Sequence, residues 1–216
     1  MRCLLTILFA CIITSTAYAE EPSLTGRAAD LYREAKTTKW FTSISKVKFD
    51  LLPTSNGDSF LVVWKPVKAP KRWLVSLHGS GGYATDDFAI WHQYLKSKDI
   101  GIMCLQWWHG TGNGTSDYDS PTTIYREIDI AARKLGIQPG TAMLHGFSRG
   151  SANVFAVAAL DHGRGGNYFT LHVASSGGVQ ESYPPTRALL NGEYGQRPLQ
   201  DTRWITAAGE IGRAHV

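Results

Sequence analysis

Residues 146–150 of this 216-residue chain read Gly-Phe-Ser-Arg-Gly and are its clearest candidate for chemistry. The apolar run 141–144 precedes them and the segment 151–160, rich in small residues, follows, which predicts a strand, a tight turn and a helix. A serine on such a turn carries its hydroxyl above the sheet, and glycines flank it because the backbone passes too close for side chains. The pattern therefore predicts that Ser148 is a nucleophile rather than an ordinary serine in a glycine-rich turn.

A second motif, His-Gly-Ser-Gly-Gly at residues 78–82, directly follows the apolar run 73–77. Attack of a hydroxyl on an acyl group builds negative charge on the carbonyl oxygen, and backbone N–H groups that already point there stabilise it. A glycine-rich loop just past a strand can present such groups. We expect His78 to anchor this loop rather than to act as a base.

The elements around these motifs predict an α/β fold. A lead-in helix is expected at 24–36, and a hairpin at 46–52 and 59–64. Strands then alternate with helices, which indicates a mostly parallel sheet with helices on both faces and the N-terminal antiparallel hairpin at its edge. Ligands of such sheets bind beyond the carboxyl ends of the strands, where both motifs fall. The further strands are expected at 73–77, 100–105, 141–144, 168–174 and 204–208, and the helices at 86–96, 121–135 and 151–160.

Two of these helices carry boundary signals of their own. Thr85 is expected to cap the helix at 86–96. Ser120 followed by Pro121 fits an N-cap with proline at the first helical position, and Gly136 is expected to end that helix.

Over roughly residues 72–208 the two motifs, in this order and on these elements, resemble the α/β-hydrolase family. The looser likeness is to secreted esterases and polyester depolymerase-like enzymes. The resemblance implies a serine hydrolase that cleaves carboxylic esters through an acyl-enzyme on Ser148, without a cofactor or a metal. It also implies that the oxyanion is held by the N–H of Arg149 and by one from the first loop, that of Ser80 or, as the nearest substitute, Gly81. The Arg149 side chain is equally consistent with a structural role.

Other functions stay open on the same fold. A peptidase or an acyltransferase would use the same strand-turn-helix around Ser148, the nucleophile elbow at residues 146–150, because a fold does not fix a substrate. A non-catalytic binding member of the superfamily could also keep the elbow geometry. A downstream aspartate and histidine would favour the enzyme.

The base and the acid of a catalytic triad are not evident in this sequence. A serine nucleophile needs a histidine, which a carboxylate orients, and in this family their order is serine, acid, histidine. The candidates after Ser148 are poorly placed: Asp161 and His162 at the end of a helix, His172 inside a strand, and Asp201 before the last strand. We therefore expect the catalytic acid and histidine beyond Gly209.

The last residues, 211–216, resemble the translation of a common sequencing adapter. They are interpreted as a non-native tail, which makes Glu210 and His215 poor triad candidates, although a genuine short C-terminus is the alternative. On this interpretation residues 20–210 form an α/β-hydrolase domain that is incomplete at the C-terminus. The 216-residue chain is then expected to show little or no turnover.

The first residues predict export. A positive start at Met1-Arg2, an apolar run at 3–13 and Ala17-Tyr18-Ala19 fit a signal peptide at 1–19, so the protein is expected to be secreted or periplasmic. The apolar run is too short for a stable membrane anchor. Residues 8–11 loosely resemble a lipoprotein box, with Cys11 as the lipidated residue, but the apolar stretch before Cys11 would be shorter than usual, which favours cleavage after residue 19. Cys104 would be the one cysteine left, a buried thiol rather than a nucleophile.

The composition narrows the choice of partners. Hydrophobic residues make up 43% and charged residues 19% of the chain, which is typical of a globular domain. The net charge is +4 without a basic run longer than Lys71-Arg72, so nucleic acid is not expected as a partner. We expect a small-molecule or polymeric ester as substrate, and the oligomeric state stays open.

Two lesser features lie near the predicted catalytic edge. Trp107 and Trp108 could line a substrate pocket or pack under a long loop. Asp117 and Asp119 are interpreted as solvated carboxylates rather than as a metal site.

Overall fold

One mixed sheet of seven strands organises the part of the chain that the computed structural model describes, residues 24–208. The strands are β1 (Asp50–Pro53), β2 (Phe60–Trp64), β3 (Arg72–Leu77), β4 (Ile100–Leu105), β5 (Ala142–Phe147), β6 (Phe169–Ser175) and β7 (Trp204–Ala207). Their order in the sheet is β1-β2-β4-β3-β5-β6-β7. The hairpin β1–β2 is antiparallel and β2 pairs antiparallel with β4, whereas β4, β3, β5, β6 and β7 run parallel. The predicted fold class, with its antiparallel hairpin, is confirmed.

Six α-helices accompany the strands in these residues: α1 (Gly26–Ala35), α2 (Phe41–Ile44), α3 (Ala84–Leu95), α4 (Pro121–Leu135), α5 (Arg149–Gly163) and α6 (Pro184–Leu190). None of the described helices is long and apolar enough to cross a bilayer. The predicted signal peptide 1–19 and the predicted tail 211–216 lie outside the described residues and stay predictions.

Local sequence signals explain where α4 begins and ends. The Ser120 hydroxyl oxygen accepts a hydrogen bond from the Thr123 N–H at 3.2 Å, and Pro121 occupies the first turn, where its missing N–H costs nothing. Gly136 ends the helix at φ 70°, a left-handed conformation that glycine adopts without a Cβ penalty. All three predicted boundary residues are confirmed.

Two apolar clusters cover the two faces of the sheet. The first packs α4 and α5 against the sheet through side chains such as Leu77, Ile124 and Val154. The second packs α1 and α3 through Leu31 and Phe88 and includes Cys104, which is buried as predicted. Because β3 and β5 are neighbouring parallel strands, their carboxyl ends meet at one edge of the sheet, where residues 78–82 and 146–150 lie side by side.

Candidate active site

Ser148 lies on a sharp turn between β5 and α5. Its backbone has φ 52° and ψ −116°, a conformation that costs a non-glycine residue about 1–3 kcal/mol. The Ser148 N–H donates to the Ser175 carbonyl at 2.8 Å, and its carbonyl accepts from the Ala152 N–H at 3.3 Å. Neighbouring strand and helix thus hold the serine in this strained conformation.

Glycines surround Ser148 because no Cβ fits there. A Cβ on Gly146 would overlap the Gly150 carbonyl, and one on Gly150 would overlap the carbonyl oxygen of Leu77 at the end of β3. On Gly177 it would overlap the Ser148 carbonyl oxygen, and on Gly79 it would lie 3.4 Å from the Ser148 Cβ. The two motifs predicted from the sequence are therefore in direct contact.

His78 holds the glycine-rich loop from within the core. Its Nδ1–H donates to the Gly79 carbonyl at 2.8 Å, and its Nε2 accepts from the Trp107 N–H at 3.3 Å. The Trp107 Nε1–H in turn donates to the His78 carbonyl at 3.1 Å, and the two rings stack. Burial lowers the pKa of His78 to about 4. A neutral imidazole with both nitrogens engaged serves as an anchor and not as a base.

The candidate oxyanion donors differ in what they contact. The Gly81 N–H donates to the Tyr118 hydroxyl at 2.9 Å, and that hydroxyl donates to Asn113 Oδ1 at 2.9 Å. Within residues 24–208, no hydrogen bond uses the N–H of Ser80 or of Arg149. In this arrangement Ser80 and Arg149 keep their donors available, while the Gly81 N–H fastens the loop.

The Arg149 side chain crosses from the elbow to the loop 109–118. Its two Nη atoms donate to the carbonyls of Asn113 at 2.9 Å and Gly114 at 3.3 Å. Its Cζ lies 4.2 Å from the ring centroid of Tyr118 and 5.9 Å from that of Tyr183. Tyr118 therefore contacts both motifs, through its hydroxyl and through its ring.

Ser148 opens onto a cavity of about 540 Å³. The cavity is lined by Ser148, Arg149, Ala152, Ser176, Gly177, Gly178, Val179, Gln180, Tyr183 and Ala208. A second cavity of about 460 Å³ lies on the α3 side of the glycine-rich loop, between Trp40, Trp91 and Phe147.

Neither Trp107 nor Trp108, the tryptophans at the predicted catalytic edge, lines the cavity that contains Ser148. Trp107 is fully buried under the loop, against His78 and Tyr118. Trp108 is partly exposed, donates from Nε1 to the Gly112 carbonyl at 3.1 Å and packs against Tyr83. Packing under a loop is thus the role that the structure assigns to Trp107.

The carboxylates of the same loop have local partners. Asp117 accepts a hydrogen bond from the Gly114 N–H at 2.6 Å. Asp119 lies 3.2 Å from His109 Nε2, and burial raises the pKa of its carboxyl. Through residues 24–208 there is no cluster of three or more histidine, cysteine or acidic side chains arranged to hold a metal ion.

The acid and histidine candidates that follow Ser148 do not reach it. Asp161 is buried and accepts hydrogen bonds from the Tyr125 hydroxyl and the Phe169 N–H, both at 3.2 Å. His172 stacks on Trp204. His162 and Asp201 are exposed at the end of α5 and ahead of β7. Glu210 and His215 lie outside the described residues.

A buried polar cluster on the α3 side was not apparent from the sequence. The Ser76 hydroxyl on β3 contacts the Asp87 carboxylate and lies 2.9 Å from His145 Nδ1, which also accepts from Trp91 Nε1 at 3.3 Å. These are the residue types of a catalytic triad, but the serine stands between the other two and is fully buried. No substrate can reach Ser76, so the cluster is structural.

The buried histidines should make the protein more stable at neutral than at acidic pH. Burial lowers the pKa values of His78 and His145 from 6.5 to about 4, so folding favours their neutral forms and each contributes about 3 kcal/mol that is lost as pH falls from 6.5 to 4. Burial raises the pKa of Asp87 to about 6, which acts in the opposite direction by about 3 kcal/mol. From these three groups we expect the free energy of unfolding to rise by about 3 kcal/mol from pH 4 to pH 7. The raised pKa values of Asp86, Asp119 and Asp161 oppose this rise, and the lowered pKa values of His92 and His172 add to it.

Urea unfolding followed by tryptophan fluorescence at several pH values measures this rise. Asp87→Asn provides the matched control, because it removes the opposing carboxyl and should make the rise larger. A free energy of unfolding that stays level or falls between pH 4 and pH 7 would contradict the assignment of His78 and His145 as buried neutral groups.

Comparison with known proteins identifies the fold. No protein-family model matches the sequence, and no curated protein is similar to it. The structure is similar to EstE1, a thermophilic carboxylesterase cloned from a metagenomic library, with 18% identity and a TM-score of 0.52 over 84% of this chain and 65% of that one. It is also similar to an esterase of Pyrobaculum calidifontis, with 14% identity and a TM-score of 0.50 over 87% and 64%.

At such identities the likeness shows the fold alone, which is the α/β-hydrolase fold. The chain spans slightly less than two thirds of the length of these two esterases.

Proposed function

We propose that the protein is a serine hydrolase that cleaves carboxylic esters through an acyl-enzyme on Ser148. The observation that carries this proposal is the elbow itself. Ser148 is held at φ 52° and ψ −116° on a turn between a strand and a helix, where three neighbouring glycines leave no room for a Cβ, and this is the strained geometry that presents a serine nucleophile above a sheet. The fold shared with two esterases is consistent with this chemistry.

The reaction has two steps. The Ser148 hydroxyl oxygen attacks the ester carbonyl carbon, its proton passes to a base, and the alcohol leaves with a proton, so that the acyl group is bonded to Ser148. Water then attacks the acyl-enzyme, which releases the carboxylic acid and restores the hydroxyl. The negative charge that develops on the carbonyl oxygen in both steps would be stabilised by the N–H groups of Ser80 and Arg149.

The base and its acid are proposed to come from residues beyond Gly209. Six histidines lie within the described residues, and no hydrogen bond joins any of them to Ser148. The pair His109–Asp119 resembles part of a triad, but its bonding connects it to α1 through Arg27 and not to the elbow. We accordingly expect little or no turnover from the chain of 216 residues.

The alternatives are a peptidase or an acyltransferase on the same fold, and a binding protein without activity. Export through a signal peptide at 1–19, and a small or polymeric ester as substrate, are proposals that rest on the sequence.

Labelling with a fluorophosphonate probe tests the nucleophile in the full-length protein, which here means the chain together with the residues proposed to follow Gly209. The probe forms a covalent bond only with a serine whose hydroxyl is activated, so we expect one labelled site, which is lost in Ser148→Ala. Ser151→Ala is the matched control, since Ser151 is a fully buried residue of the same helix. A full-length protein that stays unlabelled while folded would favour the binding protein, and labelling that survives Ser148→Ala would place the nucleophile elsewhere.

A further inference from the structure

Arg149 brings a positive charge into the cavity that contains Ser148. Its Cζ lies 5.9 Å from the ring centroid of Tyr183, which lines the same cavity, so the guanidinium stands at the wall of the space that an ester would occupy. Three contacts fix the guanidinium: hydrogen bonds to the carbonyls of Asn113 and Gly114, and the ring of Tyr118 at 4.2 Å. A charge held in this way is preorganised for a ligand, because little side-chain freedom is left to lose on binding.

No carboxylate of the described residues forms an ion pair with Arg149. Both of its hydrogen bonds go to neutral carbonyls, and the other described residues around the cavity include neither aspartate nor glutamate. A guanidinium has five N–H donors, and two hydrogen bonds leave several of them for a ligand. The cavity is therefore selectively attractive to anions.

We propose that the preferred substrates are esters that carry a carboxylate group near the scissile bond, and that the Arg149 guanidinium binds this carboxylate. The proposal rests on the proposed function. Guanidinium and carboxylate match in geometry and can form two parallel charge-assisted hydrogen bonds, which a neutral ester cannot form. The Arg149 backbone N–H would then serve the oxyanion, while its side chain selects the substrate. Monoesters of dicarboxylic acids and esters of hydroxybenzoic acids belong to this class.

Two pairs of matched esters test the proposal in the full-length protein. One pair differs on the alcohol side, 4-acetoxybenzoate against 4-acetoxybenzamide, and the other on the acyl side, 4-nitrophenyl adipate against 4-nitrophenyl hexanoate. The quantity measured is the ratio of kcat/KM for the charged over the neutral member. Differences in intrinsic reactivity cancel when this ratio is compared between variants.

We expect Arg149→Gln to lower the ratio about 10- to 100-fold for at least one pair, the range that a lost charged hydrogen bond gives. Arg149→Lys keeps the positive charge but cannot form two parallel hydrogen bonds to a carboxylate. It should therefore retain part of the preference for the charged ester. Added salt should lower the wild-type ratio and leave that of Arg149→Gln nearly unchanged. Arg164→Gln is the matched control: Arg164 also stands over a tyrosine ring, that of Tyr125, but at the far end of α5, so the ratio should not change.

The alternative is that the Arg149 side chain only holds the loop 109–118. Arg149→Gln and Arg149→Lys would then slow both members of each pair together, and an unchanged ratio in both pairs overturns the proposal. If the wild-type protein hydrolyses none of the four esters and does not react with a fluorophosphonate, the proposed function is refuted as well as the substrate class. A protein that hydrolyses the neutral esters without preferring the charged ones refutes the substrate class alone.

Discussion

Replacing Ser148 by alanine should reduce kcat for ester hydrolysis by the full-length protein by about 10⁶-fold, the cost of removing a serine nucleophile outright. The remaining rate would come from substrate binding and the oxyanion donors alone, because no neighbouring hydroxyl can replace the lost one. Ser176, in the same cavity, follows β6 and lies outside the elbow. Steady-state kinetics with an activated ester measures the loss, and a decrease of less than tenfold would refute the assignment of Ser148.

Ser148→Gly extends this experiment to stability. Glycine adopts positive φ without the Cβ penalty, so this variant should release part of the strain at φ 52° and raise the free energy of unfolding by about 1 kcal/mol. Its activity should be lost like that of Ser148→Ala. A more stable but inactive Ser148→Gly would show that the elbow conformation is retained for function at the expense of stability. A less stable one would mean that the side chain itself supports the fold.

The second large effect is expected for Gly150→Ala, which should destabilise the fold by more than about 3 kcal/mol. The added Cβ would overlap the carbonyl oxygens of Leu77 and His78. These are backbone atoms of the central strand β3 and of the glycine-rich loop, so no side chain can rotate away to make room. α5 would have to move off the sheet, which would also separate the two candidate oxyanion donors.

Gly163→Ala is the control for Gly150→Ala. Gly163 is the last residue of the same helix, and a Cβ there would meet nothing within 4 Å. Because alanine favours the helical conformation over glycine, Gly163→Ala should be neutral or stabilising by up to about 1 kcal/mol. Urea denaturation of both variants makes the comparison. If Gly150→Ala had the same urea midpoint of unfolding as the wild type, the close approach of α5 to β3 described above would be incorrect.

Much of the fold was predictable because its signals are local. The alternation of apolar strands with helices can be recognised from residues that are close together in the sequence, and so can the capping residues of α4. α3 shows where such rules fail: Thr85 was expected as its N-cap, but the helix begins at Ala84 and Thr85 is buried inside it. The Ala84 N–H donates instead to Gln106 Oε1 at 2.8 Å, a partner 22 positions away that no local pattern can indicate.

The residues of the candidate site also fall into two groups, those that local sequence patterns reveal and those that only tertiary contacts reveal. Ser148 and the loop 78–82 can be identified from the sequence because each motif is contiguous and its glycines mark positions where the backbone leaves no room for a side chain. The role of Tyr118 cannot be identified in this way, because its hydrogen bond to Gly81 and its ring contact with Arg149 join residues 37 and 31 positions apart. The Ser76–Asp87–His145 cluster also depends on tertiary packing. α6 went unpredicted because its seven residues are too few to show a helical period.

The crowding around Ser148 also limits how such a site can change during evolution. A Cβ at Gly146, Gly150 or Gly177 would overlap backbone atoms, so almost any substitution there would remove the support of the proposed nucleophile. Ala152 and Val179 line the cavity without holding the elbow. Substitutions that change the accepted substrate are therefore expected at positions such as Ala152 and Val179. Related proteins can then differ in specificity while the turn at Ser148 stays almost unchanged.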